Sequence, residues 1–114
     1  RISVLVNCGF IEPEQNNIAV KMIEFFCKEQ GYSFGSVLRV GSGEAILNTP
    51  LKIFVTRKIK QLANSVVKGR SKNLKVTMPI SKKMFVKASS SYWKNYGERN
   101  GVTLEQMATM EIEK

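Results

Sequence analysis

Histidine is missing from this 114-residue sequence, and cysteine occurs only twice. Without histidine, the chain has neither imidazole ligands for zinc nor a Ser-His or Cys-His pair for hydrolysis. Cys8 and Cys27 form no CxxC or other metal-binding spacing, so we expect free thiols and a cytoplasmic location. The sequence also lacks an uninterrupted run of about 18 apolar residues, so no membrane contact is expected.

Acidic residues are scarce relative to basic ones. There are 9 Asp and Glu against 18 Lys and Arg, which gives a formal net charge of +9. This balance favours anionic ligands such as phosphates or nucleic acid, without choosing among them. Hydrophobic residues make up 43% of the chain and charged residues 24%, both near globular averages. We therefore predict one folded domain over residues 1–114.

The first stretch, Ile2–Phe10, is a short apolar run that ends at a glycine. Such a run is typical of a strand buried on both faces in a parallel sheet. The sequence offers only two or three strands and enters this one at once. We therefore expect the chain to be part of a larger protein, or to borrow strands from another copy in a homo-oligomer. Otherwise the first strand will be exposed.

A β-α-β-α order follows from the hydrophobic spacing and the glycine and proline positions. In chain order we predict a helix over about 13–30, a strand over 37–40, a helix over about 50–68, a short strand or extended segment over 74–78, a helix over 82–96 and a last short helix through Met110. The first helix is amphipathic and has an apolar face formed by Ile18, Met22, Phe25 and Phe26. The sequence thus predicts an α/β fold.

The loops that follow the first two strands are the candidate ligand site, because parallel strand ends meet at the edge where open α/β sheets bind ligands. The first loop begins with Asn7, Cys8, Gly9 and Phe10. On chemistry alone, it either supports a flat aromatic ligand on its Gly9-Phe10 backbone or is an ordinary solvated loop.

The second loop is the sequence Gly41-Ser42-Gly43. A dinucleotide-binding fingerprint requires a third glycine at position 46, which here is Ile46. A tight turn between strand and helix is the favoured interpretation of these residues.

The second half of the chain is rich in lysine and arginine, with Tyr92, Trp93 and Tyr96 interleaved. Basic residues combined with aromatic ones can indicate nucleic-acid binding. The aromatic residues, however, follow the spacing of a helix core, and helix surfaces often carry lysine. We favour solvated basic faces, and nucleic acid remains the less favoured partner.

Several motifs in this order resemble flavodoxin-like proteins, and more narrowly the NAD(P)H-dependent FMN reductase family. The matching segments are Val4–Phe10, Glu12–Asn17, Gly41–Gly43 and Trp93–Thr103. The resemblance implies a five-stranded parallel sheet in the order 2-1-3-4-5, with FMN at the carboxyl ends of the strands. This chain would be its C-terminal β-α-β-α half, followed by C-terminal helices.

In that family the first three strands and the phosphate-binding loop come before the part matched here. The resemblance implies that Asn7, Cys8, Gly9 and Phe10 border the flavin ring. It assigns Gly41, Ser42 and Gly43 to the turn after the fifth strand. NAD(P)H would donate the hydride and the flavin would carry it, so no catalytic side chain is implied.

This chain alone is expected to be inactive and to need the missing N-terminal half or an oligomeric partner. The alternative hypothesis is a basic, non-catalytic binding or assembly module for nucleic acid or a protein partner.

Overall fold

The computed structural model describes residues 1–109, which belong to two compact units, Arg1–Pro79 and the residues from Ile80 onward. The predicted α/β character is confirmed, whereas the single domain over residues 1–114 stays a prediction. The first unit contains β1 (Ile2–Asn7), a 3-10 helix (Pro13–Asn16), α1 (Asn17–Glu29), β2 (Phe34–Val40), α2 (Gly43–Leu47), α3 (Lys52–Val67) and β3 (Asn73–Val76). The second unit contains α4 (Lys82–Arg99) and α5 (Leu104–Thr109).

The three strands form one parallel sheet in the order β1-β2-β3. Leu5, Leu38 and Leu74 lie in register across it. The expected parallel pairing of the first two strands is confirmed, and the segment over 74–78 is resolved as a third strand. The prediction that β1 is buried on both faces is wrong, because Leu5 is 47% exposed and the other residues of β1 are half-buried or exposed. Within residues 1–109, β1 is also an edge strand, paired with β2 alone.

The hydrophobic core lies between β2 and the two helices that follow it. Leu38 and Val40 of β2 pack with Ile46 of α2 and Val55 of α3. Because alternate residues of a strand point to opposite faces, Val37 lies on the other face of β2, where it is also buried. The central strand is therefore enclosed on both faces.

A buried serine pair joins β2 to the end of α3. The Oγ atoms of Ser36 and Ser65 are 2.6 Å apart, and both side chains are almost fully buried. Ser36 Oγ also donates to the carbonyl of Arg70 and accepts from the amide of Lys72. These bonds satisfy the buried hydroxyl and fix the chain as it enters β3.

The helix ends follow the local sequence signals. Gly31 and Gly69, which follow α1 and α3, have φ values of 71° and 62°, a region that glycine enters without steric cost. Ser81 Oγ accepts a hydrogen bond from the amide of Met84 and caps α4. A capping box begins α5: the Thr103 amide donates to Gln106 Oε1, and the Gln106 amide donates to Thr103 Oγ1. Met110 lies outside the described residues.

The apolar face predicted for α1 exists, but it is largely exposed, including Phe26 at 48%. Ile18, Met22 and Phe25 are between 63% and 70% exposed, whereas Val20 and Cys27 are the buried residues of this helix. Spacing identified the residues that share a face, but only the tertiary packing decides which face is covered. Within residues 1–109, no helix is both long enough and apolar enough to cross a bilayer.

Replacing Leu38 by alanine should destabilise the first unit by about 2–5 kcal/mol, since it opens a cavity at the centre of the core. The matched control is Leu5→Ala, in register with Leu38 on the open edge strand, with an expected cost of about 1 kcal/mol or less. Urea unfolding followed by circular dichroism measures both changes. Equal losses would mean that β1 is covered in solution.

Candidate functional site

The two predicted loops meet at the carboxyl ends of β1 and β2. The Cys8 amide donates to the carbonyl of Val40 at 3.0 Å, and the Gly43 amide donates back to the carbonyl of Cys8 at 3.0 Å. The Ser42 amide donates to the carbonyl of Phe10 at 2.5 Å. Parallel pairing thus places the residues from Asn7 to Phe10 beside those from Gly41 to Gly43.

The Gly41-Ser42-Gly43 turn is closed by its own backbone bonds. In addition to the Ser42 and Gly43 bonds, the Gly41 amide donates to the carbonyl of Val76 at 2.8 Å. A phosphate cradle needs backbone amides that point at the ligand, and here all three amides point at carbonyls. The turn is a structural junction, which agrees with the tight-turn interpretation.

A side-chain network links this turn to the end of β3. Ser42 is fully buried with φ 47°, and its Oγ accepts from the amide of Met78 and lies 3.0 Å from Thr77 Oγ1. Thr77 Oγ1 in turn donates to the carbonyl of Ile11 at 2.5 Å. Sequence reasoning missed Thr77, because its role depends on β3 joining the sheet.

The C-terminal part of the first loop has a structural role. The Asn16 amide group donates to the carbonyl of Val40 at 3.1 Å, and the Asn16 side chain is buried. This bond anchors the 3-10 helix against the end of β2. Asn16 is thus a structural residue, although it lies in Glu12–Asn17, one of the segments that carry the resemblance.

The beginning of this loop remains open to solvent. Asn7 and Gly9 are exposed, and the Phe10 ring is 63% exposed. A methyl group added at Gly9 would meet nothing within 4 Å. Cys8 is half-buried, with its Sγ 3.7 Å from the carbonyls of Phe10 and Glu12. The Asn7 carboxamide lies against Gly43, where an added methyl group would overlap it. The exposed Phe10 ring can support a planar ligand.

Behind this edge, Glu14 of the 3-10 helix forms an ion pair with Lys75 of β3. The Lys75 Nζ lies 2.7 Å from Glu14 Oε1, and both side chains are more than half exposed. The hydrogen bond from Lys75 lowers the pKa of the Glu14 carboxyl below its ordinary value of 4.5. This exposed contact joins the candidate loop to the far edge of the sheet.

In the second unit, α4 separates its aromatic residues from many of its basic ones. Tyr92 and Tyr96 stack with their ring centroids 6.2 Å apart, and Trp93 meets Tyr92 edge-on at 5.4 Å. Residues three, four or seven apart share a helix face, which groups Lys87 with Lys94 nearly opposite the tyrosine face but places Arg99 on the face of Tyr92 and Tyr96. The basic residues of α4 are therefore divided between the aromatic face and the opposite one.

Replacing Gly41 by alanine should destabilise the fold by about 1–3 kcal/mol. The added methyl carbon would lie 2.8 Å from the Ile11 carbonyl oxygen and from Thr77 Oγ1, and the backbone cannot move aside. Gly9→Ala is the matched control at the same edge, with an expected change within about 0.5 kcal/mol. Thermal denaturation of both variants checks this, and a tolerated Gly41→Ala would show that the junction is loose.

Substituting Lys75 by methionine should return the pKa of Glu14 upwards, towards 4.5. Because folding lowers this pKa, the stabilising effect of the contact is present above 4.5 and is lost as pH falls through the lowered value. An NMR titration of the Glu14 carboxyl carbon measures the shift. Lys60→Met, on α3, should leave the titration unchanged; an unchanged titration in Lys75→Met would contradict the contact.

Comparisons with protein-family models, curated proteins and solved structures each found no match for this chain. Its function therefore has to be argued from the geometry of the strand ends and from the surfaces that the fold leaves uncovered.

Proposed function

We propose that this chain is the C-terminal part of a cytoplasmic, flavodoxin-like, FMN-dependent NAD(P)H oxidoreductase. Its role is to supply the loop Asn7–Phe10 to the ring side of the flavin site. The observation that carries the proposal is the exposure of this loop at the carboxyl ends of two adjacent parallel strands. This is the position at which open α/β sheets bind nucleotides.

The residues present fit one part of FMN and not another. The exposed Phe10 ring offers an aromatic surface, Gly9 leaves room for close approach, and the Asn7 amide offers a donor and an acceptor for polar ring atoms. The phosphate does not fit the Gly41–Gly43 turn, whose amides are already bonded. In this proposal, phosphate-binding groups come from outside the chain.

The division of labour follows from this fit. When bound, FMN supplies the hydride chemistry between NAD(P)H and an acceptor. The chain's own residues orient the ring: Phe10 packs against it. The hydrogen bond from the Cys8 amide to the Val40 carbonyl anchors the start of the loop to the end of β2. No side chain of this chain needs to exchange a proton for that role.

The sheet also extends the arrangement that the resemblance implies. That arrangement ends at its fifth strand, which corresponds to β2, whereas here β3 pairs with the outer side of β2. The junction of Ser42 with Thr77 and Met78 joins this added strand to the strand-end turn. In this proposal, the residues that follow β3 stabilise the Gly41–Gly43 turn and the loop beside it.

A second candidate is an assembly module without catalysis. It is favoured by the open edge of β1 and by the exposed apolar residues of α1. Both surfaces suit a protein partner, because the edge offers backbone groups to another strand and the α1 face is apolar.

A flavin titration tests the leading proposal on the full chain. We expect weak quenching of flavin fluorescence, with equal affinity for FMN and riboflavin, because the chain offers no phosphate cradle at the Gly41–Gly43 turn. Phe10→Ala should weaken binding of both by roughly threefold to tenfold through the lost ring contact. Phe26→Ala, which alters an exposed ring on α1, is the control with unchanged affinity.

The possible results separate the two candidates. Failure of both flavins to bind would overturn the ring-side role in this chain and leave the assembly module. A clear preference for FMN over riboflavin would contradict the account of the closed turn. Equal weakening by Phe10→Ala and Phe26→Ala would show that binding is not located at the strand ends.

A further inference from the structure

Helix α1 has apolar residues on two opposite faces, and the sheet covers only one of them. Val20 and Cys27 are 3% and 1% exposed. Ile18, Met22 and Phe25 follow the spacing i, i+4, i+7 on the opposite side, with exposures of 70%, 67% and 63%. A helix that is apolar on both sides is suited to burial between two layers, and the first unit provides one layer.

The uncovered face is large for a single short helix. We call it the outer stripe, formed by Ile18, Met22 and Phe25 with Phe26 beside them. A fully buried aromatic side chain covers about 150–250 Å², so at their exposures these four residues present roughly 400–500 Å² of surface. Patches of this size on monomers are often interaction sites, and this one equals about half of a standard interface per partner.

Charged residues border the outer stripe on one side. Lys21 and Lys28 are seven residues apart and therefore lie on the same flank. The acidic residues of α1 lie elsewhere: Glu24 is farther round the helix, and Glu29, seven residues after Met22, is at the C-terminal end of the stripe. The other flank is apolar, with Ala19 and Phe26. A partner that packs along the stripe would meet two ammonium groups on a single side.

A groove adjoins the lysine flank and gives the surface a concave part. It has a volume of about 700 Å³ and is open to solvent. Phe25, Tyr32 and Phe34 supply most of its apolar lining, and the charged residues at it are Lys21, Lys28 and Glu24. The groove can accept an apolar side chain while a carboxylate beside that side chain reaches a lysine.

Charge argues against a second copy of the chain as the occupant. If Met22 is position a of a heptad, Ile18 and Phe25 are d positions and Lys21 and Lys28 are g positions. In a helix pair, g positions face g positions when the helices are antiparallel and e positions when they are parallel. A second copy would present lysines in the first case, and Ala19 and Phe26 in the second. Two chains of formal net charge +9 also repel each other.

We propose that the outer stripe of α1 docks an amphipathic helix of a protein partner whose apolar stripe is bordered by aspartate or glutamate. This docking is independent of flavin binding. The contact is of the helix-in-groove kind, with anchors at i, i+4 and i+7. The apolar stripe supplies burial, and the two lysines select for acidic flanks.

Synthetic helices test the proposal directly. The probe is a 21-residue peptide with leucines at the a and d positions and glutamates at the flanking e and g positions, and its counterpart carries lysines there. Fluorescence anisotropy with the full chain should show at least a fivefold preference for the glutamate peptide. Replacing both Met22 and Phe25 by serine should abolish the binding of the glutamate peptide.

A charge-reversal pair separates a specific flank from overall charge. Lys21→Glu with Lys28→Glu should reverse the preference, so that the lysine peptide binds more tightly. Lys60→Glu on α3 with Lys68→Glu directly after it, both at exposed positions, makes the same change in net charge and should keep the preference for the glutamate peptide. Circular dichroism confirms that each variant remains folded.

Three results would overturn the proposal. If both charge-reversal variants change the peptide preference equally, the preference depends on net charge and not on the Lys21 and Lys28 flank. A dimer of the chain alone in sedimentation, lost in the Met22 and Phe25 double variant, would assign the stripe to a second copy. Binding to anionic phospholipid vesicles that the same double variant abolishes, without binding of the glutamate peptide, would assign it to a lipid surface.

Discussion

The pairing of β2 with a parallel neighbour on each side is the constraint on which the first unit depends. Leu38 and Val40 of this strand are buried beneath α3, and Val37 is buried on the other face. The backbone of β2 carries the hydrogen bonds of β1 and β3 alike. Loss of its register would move each of these side chains to the wrong face, since strand side chains alternate.

This register also decides which part of the candidate site is available. Where the three strand ends meet, hydrogen bonds within the protein occupy the amides of the Gly41–Gly43 turn, the Ser42 hydroxyl and the Asn16 amide group. The groups left facing solvent are those at the start of the first loop. The same pairing that positions the loop thus closes the turn beside it, which is the basis for proposing contact with a ring and not with a phosphate.

The uncovered surfaces of the first unit have a common physical origin. Three strands and their helices bury β2 well, but they leave β1 with one neighbour and α1 with one covered face. Apolar surface of this extent is a source of binding free energy for whatever covers it. The open edge of β1 can pair with a further strand, whereas the outer stripe of α1 can pack against a helix. The two surfaces therefore fit different partners.

Local signals in the sequence were sufficient for most element types and ends. The glycines that follow α1 and α3, the serine before α4 and the threonine-glutamine box before α5 act within one turn of chain, so their effect is readable without a fold. Helix α2 was missed because it has five residues and follows a serine in the left-handed region. Its formation depends on the contacts of Ser42 with the end of β3.

Long-range contacts decided the rest. The sequence determined that Ile18, Met22 and Phe25 share a helix face, and that the residues from Asn7 to Phe10 end a strand. Only the tertiary structure decided that Val20 and Cys27 face the sheet instead, that β1 is an edge, and that three consecutive amides of a glycine-rich turn are occupied. The physical reason is that spacing specifies which side chains point together, whereas burial and hydrogen bonding depend on partners distant in the chain.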